Sequence, residues 1–383
     1  MKTLSIKVML LLLIGLCIEP IIGSGTPNYY YQDQVAVIAY HHISATAKSS
    51  VTITPKLFKE QLAMLKDRNY QFLTLKQFEY YMSGGAVPDN AVLVTFDDGY
   101  ESYYDTAYPV LQELCIPSVN FIITEQLNDP LGGNIPFLSN DQVSQMLDTP
   151  GNLSEFGCHS DRLHTQKNGQ PLLLLQSSGD GTAEAQESYE QRIAEDTRVC
   201  RSKLKELSGR PVDAYAYPFG SFDRNASAIL GKNGIRYAFT VVSEMATNED
   251  DPMQIPRITA GNPSISPAEL HQTIMRKVVD RSGSFGYIPF RESVGQIGGT
   301  MIQDKDGTIH FYYHDNDWTT RLDSRTVKLG DRTYELSAPV RIKNKRAQIR
   351  YQDLQQVMGI QIVFNPVKRT FSERLTPALK KQP

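Results

Sequence analysis

Two adjacent carboxylates are the first feature of the chain that could do chemistry. Asp97 and Asp98 closely follow the apolar run Ala91–Val94, within the sequence Thr-Phe-Asp-Asp-Gly. Neighbouring carboxylates are costly unless a cation or a division of roles separates their pKa values. One carboxylate bound to a metal ion and the other free to accept a proton would meet that requirement. The alternative is an ordinary turn that caps the following helix.

Two histidines form the second feature. His159 and His164 lie in the segment that follows Ser154–Cys158, and their spacing would place them on different faces of a helix. In a segment that leaves a strand and enters a loop, they can converge on one ion. Two imidazoles and one carboxylate, with open positions left over, are typical of a catalytic metal site. Taken alone, the histidines would be read as unrelated surface residues, but the carboxylate pair favours the metal site.

A third segment could stabilise negative charge. Pro218, Phe219 and Gly220 follow the apolar run Ala214–Tyr217. Proline and glycine fix a rigid turn, and a backbone N–H that faces the pocket could donate to an oxyanion. The alternative is a plain turn between a strand and a helix.

These segments follow predicted strands in a region that alternates strands and helices, which indicates an α/β fold with a mainly parallel sheet, either a barrel or a doubly wound sheet. Because parallel strands end at one edge, their functional groups are expected there together. The predicted strands are Val35–Tyr40, Gln71–Thr74, Ala91–Phe96, Ser118–Ile123, Ser154–Cys158, Asp213–Tyr217, Tyr237–Val242 and Gln254–Thr259. The predicted helices are one that begins at Thr54-Pro55, then Tyr100–Leu114, Asn140–Leu147, Gln186–Leu207, Asp223–Lys232 and Pro267–Val278.

The motifs resemble those of the polysaccharide deacetylases with NodB homology, carbohydrate esterase family four. Residues 95–99 match the family's Thr-Phe-Asp-Asp-Gly motif without a change. Residues 159–164 match its His-[Ser/Thr]-x-x-His motif with one extra residue, a form similar to the branch that acts on poly-N-acetylglucosamine. The segment Ala39–Ile43 resembles the first strand of that branch. The resemblance covers roughly residues 33–275 and implies a distorted (β/α) barrel.

The resemblance also implies roles for individual residues. Asp97 would be the general base, and Asp98, His159 and His164 would bind Zn²⁺, although other divalent metals sometimes serve. Phe219 would donate its backbone N–H to the oxyanion.

Two departures from the family's pattern concern further catalytic residues. Ala216 stands where the family usually has an arginine that orients the base, and Arg257 could reach that place from another direction, with a surface salt bridge as the alternative. The usual late Leu-x-His, the source of the general acid, is degenerate here in Leu270-His271. His271 is therefore a candidate acid within a predicted helix.

The chain divides into four regions. Residues 1–25 resemble a secretory signal, with Lys2 and Lys7 before the apolar run Val8–Ile18, and an uncleaved anchor is the alternative. Residues 33–280 form the predicted catalytic domain. Residues 284–371 are predicted to be rich in β-strands and resemble the stalk domains named for the N-terminal region of copper amine oxidases. Residues 372–383 are a basic tail.

The distribution of charge along the chain indicates what the C-terminal region could contact. From Ser284 onward 16 lysines and arginines stand against 10 aspartates and glutamates, a balance of +6, whereas the preceding residues carry −9. A basic appendage suits contact with an anionic cell wall or envelope surface, and a solvated basic face is the alternative.

Beyond the signal only Cys115, Cys158 and Cys200 remain, and three buried thiols are favoured over one disulfide.

We therefore predict an exported, metal-dependent hydrolase that removes N-acetyl groups from an amino-sugar polysaccharide and does not bind nucleic acid. Poly-β-1,6-N-acetylglucosamine is the leading substrate, followed by peptidoglycan and chitin oligomers. The alternatives are a hydrolase of another C–N bond, such as a cyclic imide, and a catalytically silent wall-binding module. The place of action would be the cell surface or the surrounding medium.

Overall fold

The computed structural model describes residues 30–46, 49–176, 184–279, 286–343, 346–365 and 370–374. The predicted signal and most of the basic tail lie outside these residues. The chain forms two compact units, Met1–Met275 and Arg276–Pro383. No helix in the described part of the chain is both long enough and apolar enough to cross a bilayer.

The first unit is built around a curled parallel sheet. Its eight strands are β1 (Val35–Tyr40), β4 (Gln71–Phe72), β5 (Ala91–Phe96), β6 (Ser118–Ile122), β7 (Ser154–Cys158), β10 (Ala214–Ala216), β11 (Tyr237–Phe239) and β12 (Ile258–Thr259). The strand order is β11-β10-β7-β6-β5-β1-β12, and β4 pairs with β5. Strands β11 and β12 lie at the two edges of the sheet. A parallel bridge between Phe239 of β11 and Ile255, just before β12, brings these edges together. The sheet is therefore curled into a half-barrel, which confirms the predicted α/β fold.

Short strand pairs and helices complete the first unit. The short strands are β2 (His42–Ile43) with β3 (Thr52–Ile53), and β8 (Gln166–Lys167) with β9 (Gln170–Pro171). The helices are α1 (Pro55–Asp67), α2 (Leu75–Met82), α3 (Tyr108–Glu113), α4 (Asn140–Asp148), α5 (Gln186–Ser208), α6 (Arg224–Lys232) and α7 (Pro267–Lys277). A π-helical turn, Tyr103–Ala107, precedes α3. Thr54 caps α1 by accepting from the backbone N–H of Leu57 at 3.2 Å, as its sequence predicts.

The strands that carry the candidate site are fixed by burial. Every residue of β1 and β5 is buried, which explains their continuous apolar sequences. Aromatic side chains such as Phe78, Phe121 and Phe239 fill the space between the strands and helices. The ends of these strands are thus held by a packed interior.

The expectation of free thiols is wrong for Cys158 and Cys200, which form a disulfide between the end of β7 and α5. The two residues are separated by 42 positions, and their Cα atoms lie 6.0 Å apart because α5 packs on β7. That packing is a property of the tertiary fold, so the spacing of the cysteines could not predict the bond.

The second unit is β-rich, as predicted, and it also contains two helices that the sequence pattern did not indicate. A five-stranded antiparallel sheet has the order β14-β15-β16-β17-β18, a three-stranded sheet the order β13-β20-β19, and β21 pairs with β22. Trp318 and Phe311 stack at the centre of its own hydrophobic core. The strands are β13 (Tyr287–Pro289), β14 (Thr300–Gln303), β15 (Thr308–Tyr313), β16 (Asn316–Arg321), β17 (Thr326–Leu329), β18 (Arg332–Glu335), β19 (Arg341–Lys343), β20 (Arg346–Arg350), β21 (Ile362–Asn365) and β22 (Thr370–Glu373), and the helices are α8 (Phe290–Gln296) and α9 (Tyr351–Met358).

Candidate active site

The three motifs meet at the carboxyl edge of the parallel sheet. Asp97 and Asp98 follow β5, His159 follows β7, and Phe219 lies in the turn after β10. Strands β5, β6, β7 and β10 are consecutive neighbours with parallel pairing, so their carboxyl ends point the same way. The edge of the sheet therefore assembles residues that are far apart in the sequence.

Asp98, His159 and His164 form a compact cluster of potential metal ligands. The Nε2 atoms of both histidines lie 3.3 Å from Oδ1 of Asp98, and one ligand atom from each residue lies within 4.8 Å of the others. Asp98 and Gly99 both have left-handed backbones, with φ of 72° and 78°, so the chain turns sharply behind the carboxylate. Two imidazoles and one carboxylate fit a divalent metal such as zinc and leave positions open for water and substrate.

The ring of His159 is oriented by the backbone. Its Nδ1 lies 2.8 Å from the carbonyl oxygen of Ala216, which can only accept a hydrogen bond, so Nδ1 donates. The lone pair is then on Nε2, the atom that faces Asp98. Burial lowers the pKa of His159, but the hydrogen bond to Asp98 and the nearby carboxylates outweigh this effect and raise it. A proton consequently competes with a cation for this site.

His164 has a different electrostatic environment. Burial and the neighbouring His159 lower its pKa to about 4. The His164 imidazole is therefore neutral at neutral pH, which is the form that binds metal.

Asp97 is held by Arg257 and not by the metal-ligand cluster. The two terminal nitrogens of Arg257 donate to the two carboxylate oxygens of Asp97, each at 2.7 Å, and Nε donates to the carbonyl oxygen of Thr240 at 2.8 Å. Arg257 is only 1% exposed, so the alternative of a surface salt bridge does not apply. Burial raises the pKa of Asp97, but Arg257 and His159 outweigh it, and the pKa lies well below its usual value. Asp97 is thus ionised and fixed in orientation.

His41 joins the group, although the motif pattern gave it no role. Its Nε2 lies 3.7 Å from Oδ2 of Asp97, and its side chain is 21% exposed. His42, by contrast, bonds to the Ser102 hydroxyl through Nδ1 at 3.0 Å. The available signal was the position of His41 directly after β1, which pairs in parallel with β5 and so ends at the same edge.

Phe219 lies beside the metal-ligand cluster. Its ring stacks on His164 with centroids 4.4 Å apart and an interplanar angle of 28°. Its backbone is left-handed, with φ of 57°, within the tight turn Pro218–Gly220. This geometry puts the turn next to the cluster, and the donation of its N–H to an oxyanion stays a prediction.

His271 does not belong to the site. Its Nδ1 pairs with the Tyr70 hydroxyl at 2.7 Å, and its ring packs edge-on against Tyr30. Tyr70 directly precedes β4, so this contact lies near the amino ends of the strands, opposite the edge that carries Asp97. The degenerate Leu-His pattern reflects a packing residue of α7, and His271 is not the general acid.

Comparison with known proteins gives consistent matches. The family model described as "Polysaccharide deacetylase" matches residues 84–238. The poly-β-1,6-N-acetyl-D-glucosamine N-deacetylase of Staphylococcus epidermidis is 32% identical over 212 residues, which cover 55% of this chain and 68% of the relative. Among solved structures, IcaB from Ammonifex degensii is 28% identical with a TM-score of 0.54, over 64% of this chain and 99% of the other. The de-N-acetylase from Aggregatibacter actinomycetemcomitans shares the fold at 22% identity, with a TM-score of 0.57 over 63% of this chain and 100% of the other.

Proposed function

The chain belongs to the polysaccharide deacetylases, a family of hydrolases, and from this membership we propose that it removes N-acetyl groups from poly-β-1,6-N-acetylglucosamine. The observation that carries the proposal is the cluster of Asp98, His159 and His164 beside the ionised Asp97. The relative from Staphylococcus epidermidis, which bears this activity in its name, supports the choice of polymer. Peptidoglycan and chitin oligomers are the next candidates.

In the proposed mechanism, Asp98, His159 and His164 hold a divalent metal, with zinc as the leading choice. A zinc ion held there would supply Lewis acidity towards the acetyl carbonyl and the attacking water. Asp97 accepts a proton from that water while the water oxygen adds to the carbonyl carbon. Arg257 orients Asp97 by donating to both of its carboxylate oxygens. Each carboxylate oxygen keeps a second lone pair that can accept the proton.

The C–N bond breaks in the second half of the reaction. The N–H of Phe219 donates to the carbonyl oxygen while it carries negative charge. His41 then donates a proton to the departing amine, so that the products are acetate and a free amino sugar. We propose His41 as the general acid because its Nε2 lies 3.7 Å from Oδ2 of Asp97 and the mechanism gives it no other role.

We propose that the protein acts outside the cytoplasm. The signal predicted at residues 1–25 and the Cys158–Cys200 disulfide both support export, since disulfides persist in oxidising compartments. The basic second unit would serve as a stalk-like module that contacts an anionic wall or envelope surface. Export disfavours a cyclic imide substrate, and an ionised base beside a set of metal ligands disfavours a silent binding module.

The test is release of acetate from β-1,6-linked N-acetylglucosamine oligomers, with loss of acetyl groups followed by mass spectrometry. Peptidoglycan fragments and chitin oligomers serve as competing substrates, and the Asp97→Asn variant is the control for contaminating activity. We expect metal-dependent deacetylation that is fastest on the β-1,6-linked oligomers. Faster turnover of a competing polymer would overturn the substrate, and no acetate from any of the three would overturn the function.

A further inference from the structure

The segment that joins the two histidine ligands has no regular secondary structure of its own. Residues 159–164 lie in no helix or strand, and Ser160 has a left-handed backbone with φ of 83°. Because this segment follows β7 as a loop, something outside it must fix the distance between His159 and His164. Backbone hydrogen bonds from Ile122, Thr124 and Glu125 hold one side of the segment, and side chains of helix α5 hold the other.

Asp196 on α5 binds the backbone of this segment. One carboxylate oxygen accepts from the N–H of Asp161 at 3.0 Å, and the other accepts from the N–H of Arg162 at 2.6 Å. Asp196 is buried, and burial raises its pKa to about 6 even though these hydrogen bonds lower it.

Two further residues of α5 contact this segment or the residue just before it. Nζ of Lys203 donates to Oδ1 of the buried Asp161 at 2.6 Å, and that oxygen also accepts from the Thr124 hydroxyl at 2.7 Å. Cys200 forms the disulfide with Cys158, the residue immediately before His159. Positions 196, 200 and 203 have the spacing i, i+4, i+7, so all three lie on one face of the helix.

We infer that this face of α5 positions the metal ligands, and that Asp196, Cys200 and Lys203 set the affinity of the site by fixing the segment between His159 and His164. The inference rests on the proposed metal site and extends it to residues that touch neither metal nor substrate. Free histidines would have to be ordered when the metal binds, whereas histidines held in place lose less entropy. Residues that orient metal ligands are typically worth about 10–100-fold in affinity.

The experiment compares Asp196→Asn with Glu195→Gln, a matched substitution at an exposed position of the same helix that pairs with Arg198. The asparagine keeps the shape but turns an N–H donor towards a backbone N–H. Zinc dissociation constants are measured by chelator competition, and the metal-free proteins are compared by thermal unfolding and by amide exchange at Asp161 and Arg162. We expect zinc affinity about 10–100-fold weaker in Asp196→Asn and faster exchange at the two amides, in a protein that remains folded at the temperature of the assay.

A zinc affinity of Asp196→Asn equal to that of Glu195→Gln would overturn the inference, as would a loss of affinity with unchanged amide exchange at Asp161 and Arg162. If Asp196→Asn does not fold, Lys203→Met carries the same comparison, since it removes only the contact to Asp161 and Thr124. Failure of the proposed function would be seen separately, as wild-type protein that binds zinc but releases no acetate. Wild-type protein that binds no zinc would overturn the metal site and this inference together.

Discussion

At the residue scale, Asp97 and Asp98 are chemically alike but differ in their contacts. Asp98 faces both histidines, whereas Asp97 is bound by Arg257. A nonspecific electrostatic role would make the two carboxylates interchangeable. The proposed mechanism predicts instead that substitution of each one removes a different property.

Asp97→Asn keeps the shape of the side chain and loses its basicity. We expect zinc content and oligomer binding near those of the wild type, with kcat lowered by about 10²–10⁴, the usual worth of general-base assistance. Asp98→Asn should instead lose zinc, and activity with it. Elemental analysis and steady-state kinetics of the two variants check the assignment. Loss of zinc from Asp97→Asn and its retention in Asp98→Asn would show that the roles are reversed.

Arg257 offers a test of how the base is tuned. Arg257→Lys keeps the positive charge but not the paired hydrogen bonds to Asp97. The pKa of Asp97 should therefore rise towards its usual value, and the form able to accept a proton should be lost at a higher pH. We expect the acidic limb of the kcat/KM profile to move to higher pH. Arg198→Lys, at an exposed pair with Glu195, is the matched control. An unmoved acidic limb would mean that Arg257 does not control this ionisation.

At the element scale, the sequence predicted the strands best where they are buried on both faces. The predicted bounds of β1, β5 and β7 agree with the structure, and β1 and β5 are mostly apolar and fully buried, whereas β10 and β11 are shorter than predicted. The features that the sequence could not predict depend on contacts between residues far apart in the chain. Arg257 reaches Asp97 across 160 positions, and the disulfide depends on how α5 packs on β7. His271 was misassigned because a two-residue pattern does not distinguish a catalytic histidine from a packed one.

The turn Pro218–Gly220 gives a prediction for a whole element. Gly220 has φ of 66°, and a Cβ atom there would overlap the side chain of Val241. Gly220→Ala should therefore displace the turn and Phe219 with it, and we expect kcat lower by about 10² with zinc content unchanged. Gly151→Ala is the control, because Gly151 also has a positive φ but open space around it. Equal kinetics for the two variants would remove the turn from the mechanism.

At the scale of the whole molecule, all the proposed site residues lie in the first unit, and each unit has a hydrophobic core made of its own residues. Nothing in the chemistry proposed for the site requires a side chain from the second unit. The balance of +6 from Ser284 onward instead suits contact with an anionic surface. The two units are therefore expected to separate catalysis from attachment.

A chain that ends at residue 279 tests this division. It keeps Asp97, Asp98, His159, His164 and Arg257 together with the core that holds them. We expect native circular dichroism, an unchanged kcat/KM on short oligomers, and at least about tenfold weaker retention on the polymer or on wall fragments, because a second point of attachment raises the effective concentration of the site. Retention should also fall with added salt in the full chain but not in the shortened one, since charge–charge attraction is screened. A shortened protein that folds and yet loses oligomer turnover would show that the second unit contributes to the chemistry itself.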